Sequence, residues 1–255
     1  MEKKSKLGAL SAGAFALYSG AMALLTRNTA LLEGASTAQK LPFSLSLAVF
    51  FGALVFLGAS LLPGRPKTDT RTLTMAAMFA ALCYIGFAVF KVDIPIGDSK
   101  TAFHLGNSFC VLAALFLGPL WGGLAGAVGL SIADLTSAYV TSAPKTFLMK
   151  LCIGLITGLV AHRVLHISSP KRKLPLPVAA FLASLAGMAF NVIADPIVGY
   201  FYKTYLLGMP QDAAKIWLSM AKVTTAANAA IAVLAATILY SALCPALRRS
   251  RLLPQ

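Results

Sequence analysis

The chain has 255 residues, 58% of them hydrophobic and 12% charged, with a mean hydropathy of +0.79 and a formal net charge of +14. An ordinary soluble domain is roughly one quarter charged, so the composition excludes a water-soluble globular protein and leaves no room for a large soluble domain. The apolar residues run in stretches of about 20 rather than in short alternating segments, which selects an all-α integral membrane protein over a barrel.

Proline, glycine and charged punctuation predicts eight helices, near 7–26, 42–62, 71–91, 105–117, 119–140, 144–165, 175–201 and 213–246. The first follows Met1-Glu2-Lys3-Lys4, as a signal peptide would. Its apolar run is long for that role and a second run follows soon after, so it is read as a retained helix. Residues 1–62 therefore carry two N-terminal transmembrane helices. Residues 63–71 (Pro63-Gly64-Arg65-Pro66-Lys67-Thr68-Asp69-Thr70-Arg71) form a cytoplasmic linker, 72–246 a six-helix membrane domain, and 247–255 a basic cytoplasmic tail. The segment at 92–104 reads as an outer loop. The helix at 105–117 is short, about 20 Å at the helical rise, and Gly118-Pro119 joins it to the next by a tight turn. The last two helices exceed the length needed to cross a bilayer, so they tilt or project beyond it.

Basic residues set the orientation. With both termini cytoplasmic and eight crossings, 13 of the 22 Lys and Arg fall inside, among them Lys3, Arg65, Arg163, Lys171, Arg172, Lys173, Arg248 and Arg249. Seven fall outside: Arg27, Lys40, Lys91, Lys100, Lys145, Lys203 and Lys215. This excess inside obeys the rule that orients helical membrane proteins, and it accounts for the net charge without nucleic acid. Cys83, Cys110, Cys152 and Cys244 stand singly in apolar segments, a pattern of packing rather than of metal binding. No cofactor or metal is expected.

The remaining two lysines, Lys150 and Lys222, lie inside spanning segments, as do Asp134 and Asp195. A charge in the bilayer costs several kcal/mol and usually faces a bundle interior or a ligand. Counting along each helix places Asp134, Lys150 and Asp195 in the outer half and Lys222 near its lower edge. Asn191 and Asp195 are four apart, hence on one helix face, and Pro196 frees a backbone carbonyl one turn earlier. His104 and Asn107 border the same region from the outer loop. Together these residues (His104, Asn107, Asp134, Lys150, Asn191, Asp195 and Lys222) describe a polar cavity that opens outward. Lysines suit a carboxylate or phosphate on a solute, and aspartates suit hydroxyl, amine or ring N–H groups. The alternative is that Asp134–Lys150 and Asp195–Lys222 are ion pairs that only tie helices together. His162 and His166 sit beside the inner basic loop and read as interface residues.

Two small-residue stripes complete the pattern. Ala76 with Ala80, and Ala77 with Ala81, form overlapping pairs that admit a close helix neighbour. Gly122-Gly123-Leu124-Ala125-Gly126-Ala127-Val128-Gly129 is a stronger stripe, expected to pack within the bundle.

The ordered set His104-Leu105-Gly106-Asn107, Leu115-Phe116-Leu117-Gly118-Pro119-Leu120-Trp121-Gly122-Gly123, Ala133-Asp134-Leu135 and Pro144-Lys145-Thr146-Phe147-Leu148-Met149-Lys150 gives residues 71–246 a family likeness. They resemble the substrate-binding S component of an energy-coupling factor (ECF) vitamin transporter. The resemblance implies a six-helix bundle in the plasma membrane that binds a small vitamin near its extracellular side. It also implies assembly with a transmembrane coupling subunit, which would dock on Ala76, Ala77, Ala80 and Ala81, and with two ATPase subunits. The two extra N-terminal helices depart from the six-helix pattern. No Gly-x-x-x-x-Gly-Lys-Ser/Thr loop is present, so the ATPase would be a partner and not this chain. The rival readings are a stand-alone proton-coupled carrier using Asp134 or Asp195, and an intramembrane enzyme. The second lacks paired carboxylates, clustered histidines or a nucleophile motif.

Overall fold

A computed structural model describes residues 69–97, 99–169 and 172–250, with isolated residues 17–23, 26–27, 42 and 46 before them. The two N-terminal helices expected over 7–26 and 42–62 lie outside the described residues as elements. The described residues fall into two compact units. The larger is Thr68–Ala133 with Met149 onward, and Asp134–Leu148 belongs to the other.

All six helices of the expected body are present. Helix α1 is Thr70–Ala88, started by Asp69, whose Oδ1 accepts from Thr72 N–H at 2.9 Å. Gly106–Leu135 is one helical stretch divided at Gly118, whose φ of 81° breaks it into α2 (106–117) and α3 (119–135). Helix α4 is Ala143–Leu159 and ends in a π turn at Val160–Val164. Helix α5 is Leu176–Phe201, ending in a second π turn at Tyr202–Leu206, and α6 is Gln211–Arg249. The expected outer loop differs. It contains an antiparallel β-hairpin, β1 Val92–Ile96 and β2 Ser99–Phe103, with Val92 opposite Phe103 and Ile96 opposite Ser99.

Glycines set the spacing of the helices in the larger unit. A Cβ on Gly122 would overlap the Ala114 backbone, one on Gly126 the Cys110 side chain, and one on Gly106 the Leu130 side chain. These three pairs are centred on Gly118, so α2 and α3 fold back on each other as a tight antiparallel pair. Helix α4 closes on α3 in the same way: Gly154 meets the Gly123 backbone and Gly158 meets Pro119. Gly187 then seats α5 against Thr157, and Gly129 seats α3 against the Ala80 carbonyl. The stripe at Gly122–Gly129 packs within the bundle, as its composition indicates. Such close approach lets dispersion replace the hydrophobic drive that lipid removes.

The end near Gly118 has its own polar accounting. A helix that stops at Gly118 leaves its last carbonyls without helical partners. The ring Nε2 of His162 lies 3.3 Å from the Ala114 carbonyl and 3.1 Å from that of Leu115. His162, read from the sequence as an interface residue, therefore caps α2 from the π turn of α4. Arg248 at the end of α6 donates to the Ile167 carbonyl at 3.2 Å, tying the last helix to the α4–α5 connection.

Candidate functional site

The opposite end of the larger unit carries the β-hairpin and most of the polar residues named from the sequence. His104 follows β2 directly and sits before α2, and its ring meets that of Phe87 edge-on with centroids 5.0 Å apart. Burial pushes the His104 imidazole down from 6.5 to about 3; the Lys150 charge pushes the same way and Asp195 opposes it. At neutral pH the ring is neutral, and it lies within electrostatic reach of both charges. Asn107 is in the first turn of α2, and one turn on, the Cys110 thiol donates to the Lys150 carbonyl at 3.6 Å. Asn191 lies one turn before Asp195 on α5 and is fully buried. Thus His104, Asn107, Lys150, Asn191 and Asp195 come from the β2–α2 junction, α2, α4 and α5 of one unit.

Three of these side chains carry buried atoms with no protein partner: His104 Nδ1, Asn107 Oδ1 and Asn191 Oδ1. Buried polar atoms are nearly always paired, and leaving one unpaired costs about 1–3 kcal/mol. Lys150 is itself only 7% exposed. Two unpartnered amide oxygens and a ring nitrogen in one unit with a buried lysine suit a molecule that presents N–H or O–H donors together with an electron-rich group. Among the described residues no three His, Cys, Asp or Glu side chains gather as metal ligands would.

The other named residues fall elsewhere. Lys222 does not join the cluster. The inward face of α6 is Trp217, Ala221, Thr224 and Asn228, and Lys222 stands on the exposed face between them. Counting along the helix estimated its depth and left its side open, and the long lysine stem lets an ammonium on that face reach toward the interface. Asp134 is buried in the second unit, where its Oδ2 accepts from the Thr146 hydroxyl. On α1 the two alanine pairs separate: Ala76 is buried and Ala80 abuts Gly129, while Ala77 and Ala81 are exposed. The Asn228 side chain, absent from the sequence reading, holds the β-hairpin. It is recognisable only by its place on the face set by Trp217 and Thr224.

The family model of the ECF-type riboflavin transporter S component matches residues 67–244. The chain belongs to this family. The match starts inside the 63–71 linker, so the segment before it lies outside the family model. Among solved structures the chain is similar to the crystal structure at 2.1 Å of the S component for biotin from an ECF-type ABC transporter. The two share 19% sequence identity over 68% of this chain and 93% of that one, with a TM-score of 0.47. No curated protein matches the chain in sequence. As an S component it is a multi-pass membrane protein and the substrate-binding subunit of a vitamin transporter.

Proposed function

We propose that this S component captures riboflavin for an ATP-driven ECF importer, holding it at the β-hairpin end between His104, Asn107, Lys150, Asn191 and Asp195. The observation that carries the reading is the trio of buried, unpartnered polar atoms on His104, Asn107 and Asn191, with His104 in electrostatic reach of Lys150. Riboflavin has a ring imide N–H and a chain of hydroxyls that would donate to such atoms, and ring carbonyls that would accept from an ammonium. The name of the matched family points to the same solute. Asp134 and Lys222 stand outside the proposed site: the first is buried in its own unit, and the second lies on the exposed face of α6.

The end bearing Gly118 collects Arg163, Arg172, Lys173, Arg248 and Arg249, which supports a cytoplasmic placement for it and an extracellular one for the β-hairpin. Both termini are then cytoplasmic. The coupling subunit, with its two ATPases, would dock on the Ala77 and Ala81 face of α1, where Leu73 and Met78 are also exposed. Ala76 and Ala80 would support that face from inside.

Fluorescence titration of the purified chain with riboflavin tests the site: saturable quenching at one equivalent is expected. If riboflavin fails to bind while another vitamin does, the solute is wrong but the site stands. Replacing Ala77 and Ala81 by leucine should reduce co-purification with the coupling module and leave the titration unchanged. Loss of riboflavin binding in that variant would assign this face to internal packing.

A further inference from the structure

Helix α6 completes the free edge of β2 with side chains. The Trp217 indole N–H donates to the Lys100 carbonyl at 3.3 Å, and the Asn228 amide donates to the Ala102 carbonyl at 2.9 Å. In return the His104 N–H donates to Asn228 Oδ1 at 3.0 Å. Lys100, Ala102 and His104 are alternate residues, the period of one edge of an antiparallel strand. The Thr101 and Thr224 hydroxyls add a bond of 2.9 Å. Trp217 to Asn228 spans about 16 Å of helix, and Lys100 to His104 about 13 Å of strand, so helix and strand run alongside each other. Backbone groups buried away from water have to find their hydrogen bonds in protein, and here one helix face supplies them.

Asn228 is distinct in this seam. It is buried, and both ends of its amide are committed to the two backbone groups that bracket Phe103, immediately before the His104 side chain. We propose that Asn228 is a positioning residue of the solute site: by clamping Ala102 C=O and His104 N–H, it fixes the direction in which the His104 ring meets the solute. The proposal rests on the reading of His104 as a site residue and adds a residue that touches no solute itself.

The test is a double-mutant cycle on the full chain in nanodiscs, with riboflavin as the probe and its dissociation rate as the readout. Asn228→Ala and His104→Ala should each raise that rate about tenfold. The double variant should dissociate no faster than His104→Ala alone, because Asn228 acts through His104. Additive penalties would overturn the positioning role and leave the riboflavin reading intact. A wild-type chain that binds no riboflavin would overturn that reading and this one with it. If Asn228→Ala does not fold, Asn228→Asp carries the same cycle, since its carboxylate keeps the bond from His104 N–H and loses only the donor to Ala102. A residue with a merely structural role would lower the unfolding midpoint without making the cycle non-additive.

Discussion

The two ends of the larger unit are held by different physics. Around Gly118 the helices touch backbone to backbone, with glycine hydrogens where side chains would collide. At the other end the β-hairpin is fastened by discrete polar bonds: Trp217 to Lys100, Thr224 to Thr101, Asn228 to Ala102 and His104, and Lys203 to Ser99 at 2.9 Å. Close packing has one satisfactory arrangement, because any displacement opens gaps or overlaps. Hydrogen bonds can be exchanged one at a time with water or with a solute. The first construction suits a frame and the second a site that has to admit and release a molecule.

The largest expected effect breaks the frame. Gly154→Val would drive a branched side chain into the Gly123 backbone, and overpacking of this kind costs about 1–3 kcal/mol or more. Little folded protein should be recovered by size-exclusion chromatography, and a well-folded Gly154→Val chain would mean that α3 and α4 separate easily. Next in size is the site. Lys150→Ala should weaken riboflavin binding about tenfold to a hundredfold, the value of a hydrogen bond to a charged group, with a smaller change in thermal midpoint. Unchanged affinity by titration would remove Lys150 from the site.

Acid should act on the β-hairpin end selectively. The His104 pKa is lowered in the folded chain to about 3 from 6.5. Between these values the unfolded chain binds the extra proton, so the His104 contribution is complete above about pH 6.5 and is lost as pH falls toward 3. Thermal midpoints from pH 7 to pH 4 should therefore fall more steeply for the wild type than for His104→Gln. Parallel curves would show that the ring is not held in a low-dielectric place. The smallest effect belongs to Lys222→Ala, which should leave riboflavin affinity within about twofold, since an exposed side chain away from special features is worth about 0.5 kcal/mol or less. A tenfold loss would return Lys222 to the site.

The frame was more legible in the sequence than the fastening. Apolar runs bounded by proline and glycine located each described helix to within a few residues. Gly118-Pro119 marked the sharp reversal because a residue at positive φ followed by proline cannot continue a helix. The β-hairpin was missed although Val92-Asp93-Ile94-Pro95-Ile96 leads into Gly97-Asp98, a turn signal between short β-prone segments. Membrane composition drew attention to long apolar runs and away from five-residue strands. Lys222 was misplaced because depth was counted without fixing which side of the helix faced inward. His162 and Asn228 escaped for a shared reason: each serves backbone atoms of a segment distant in sequence. That need becomes visible only when the chain's unpaired carbonyls and N–H groups are located in space.

The symmetric placement of Gly118 limits how this chain can change in length. Pairs 114/122, 110/126 and 106/130 are all counted from that residue. Inserting one residue on either arm would rotate everything beyond it by about 100° and put bulky side chains where glycines now sit. The tip of the β-hairpin at Gly97 has open space around it, and extra residues there would leave every strand pairing in place. Natural or engineered variation in length is thus channelled to the tip, and the helical reversal keeps its count.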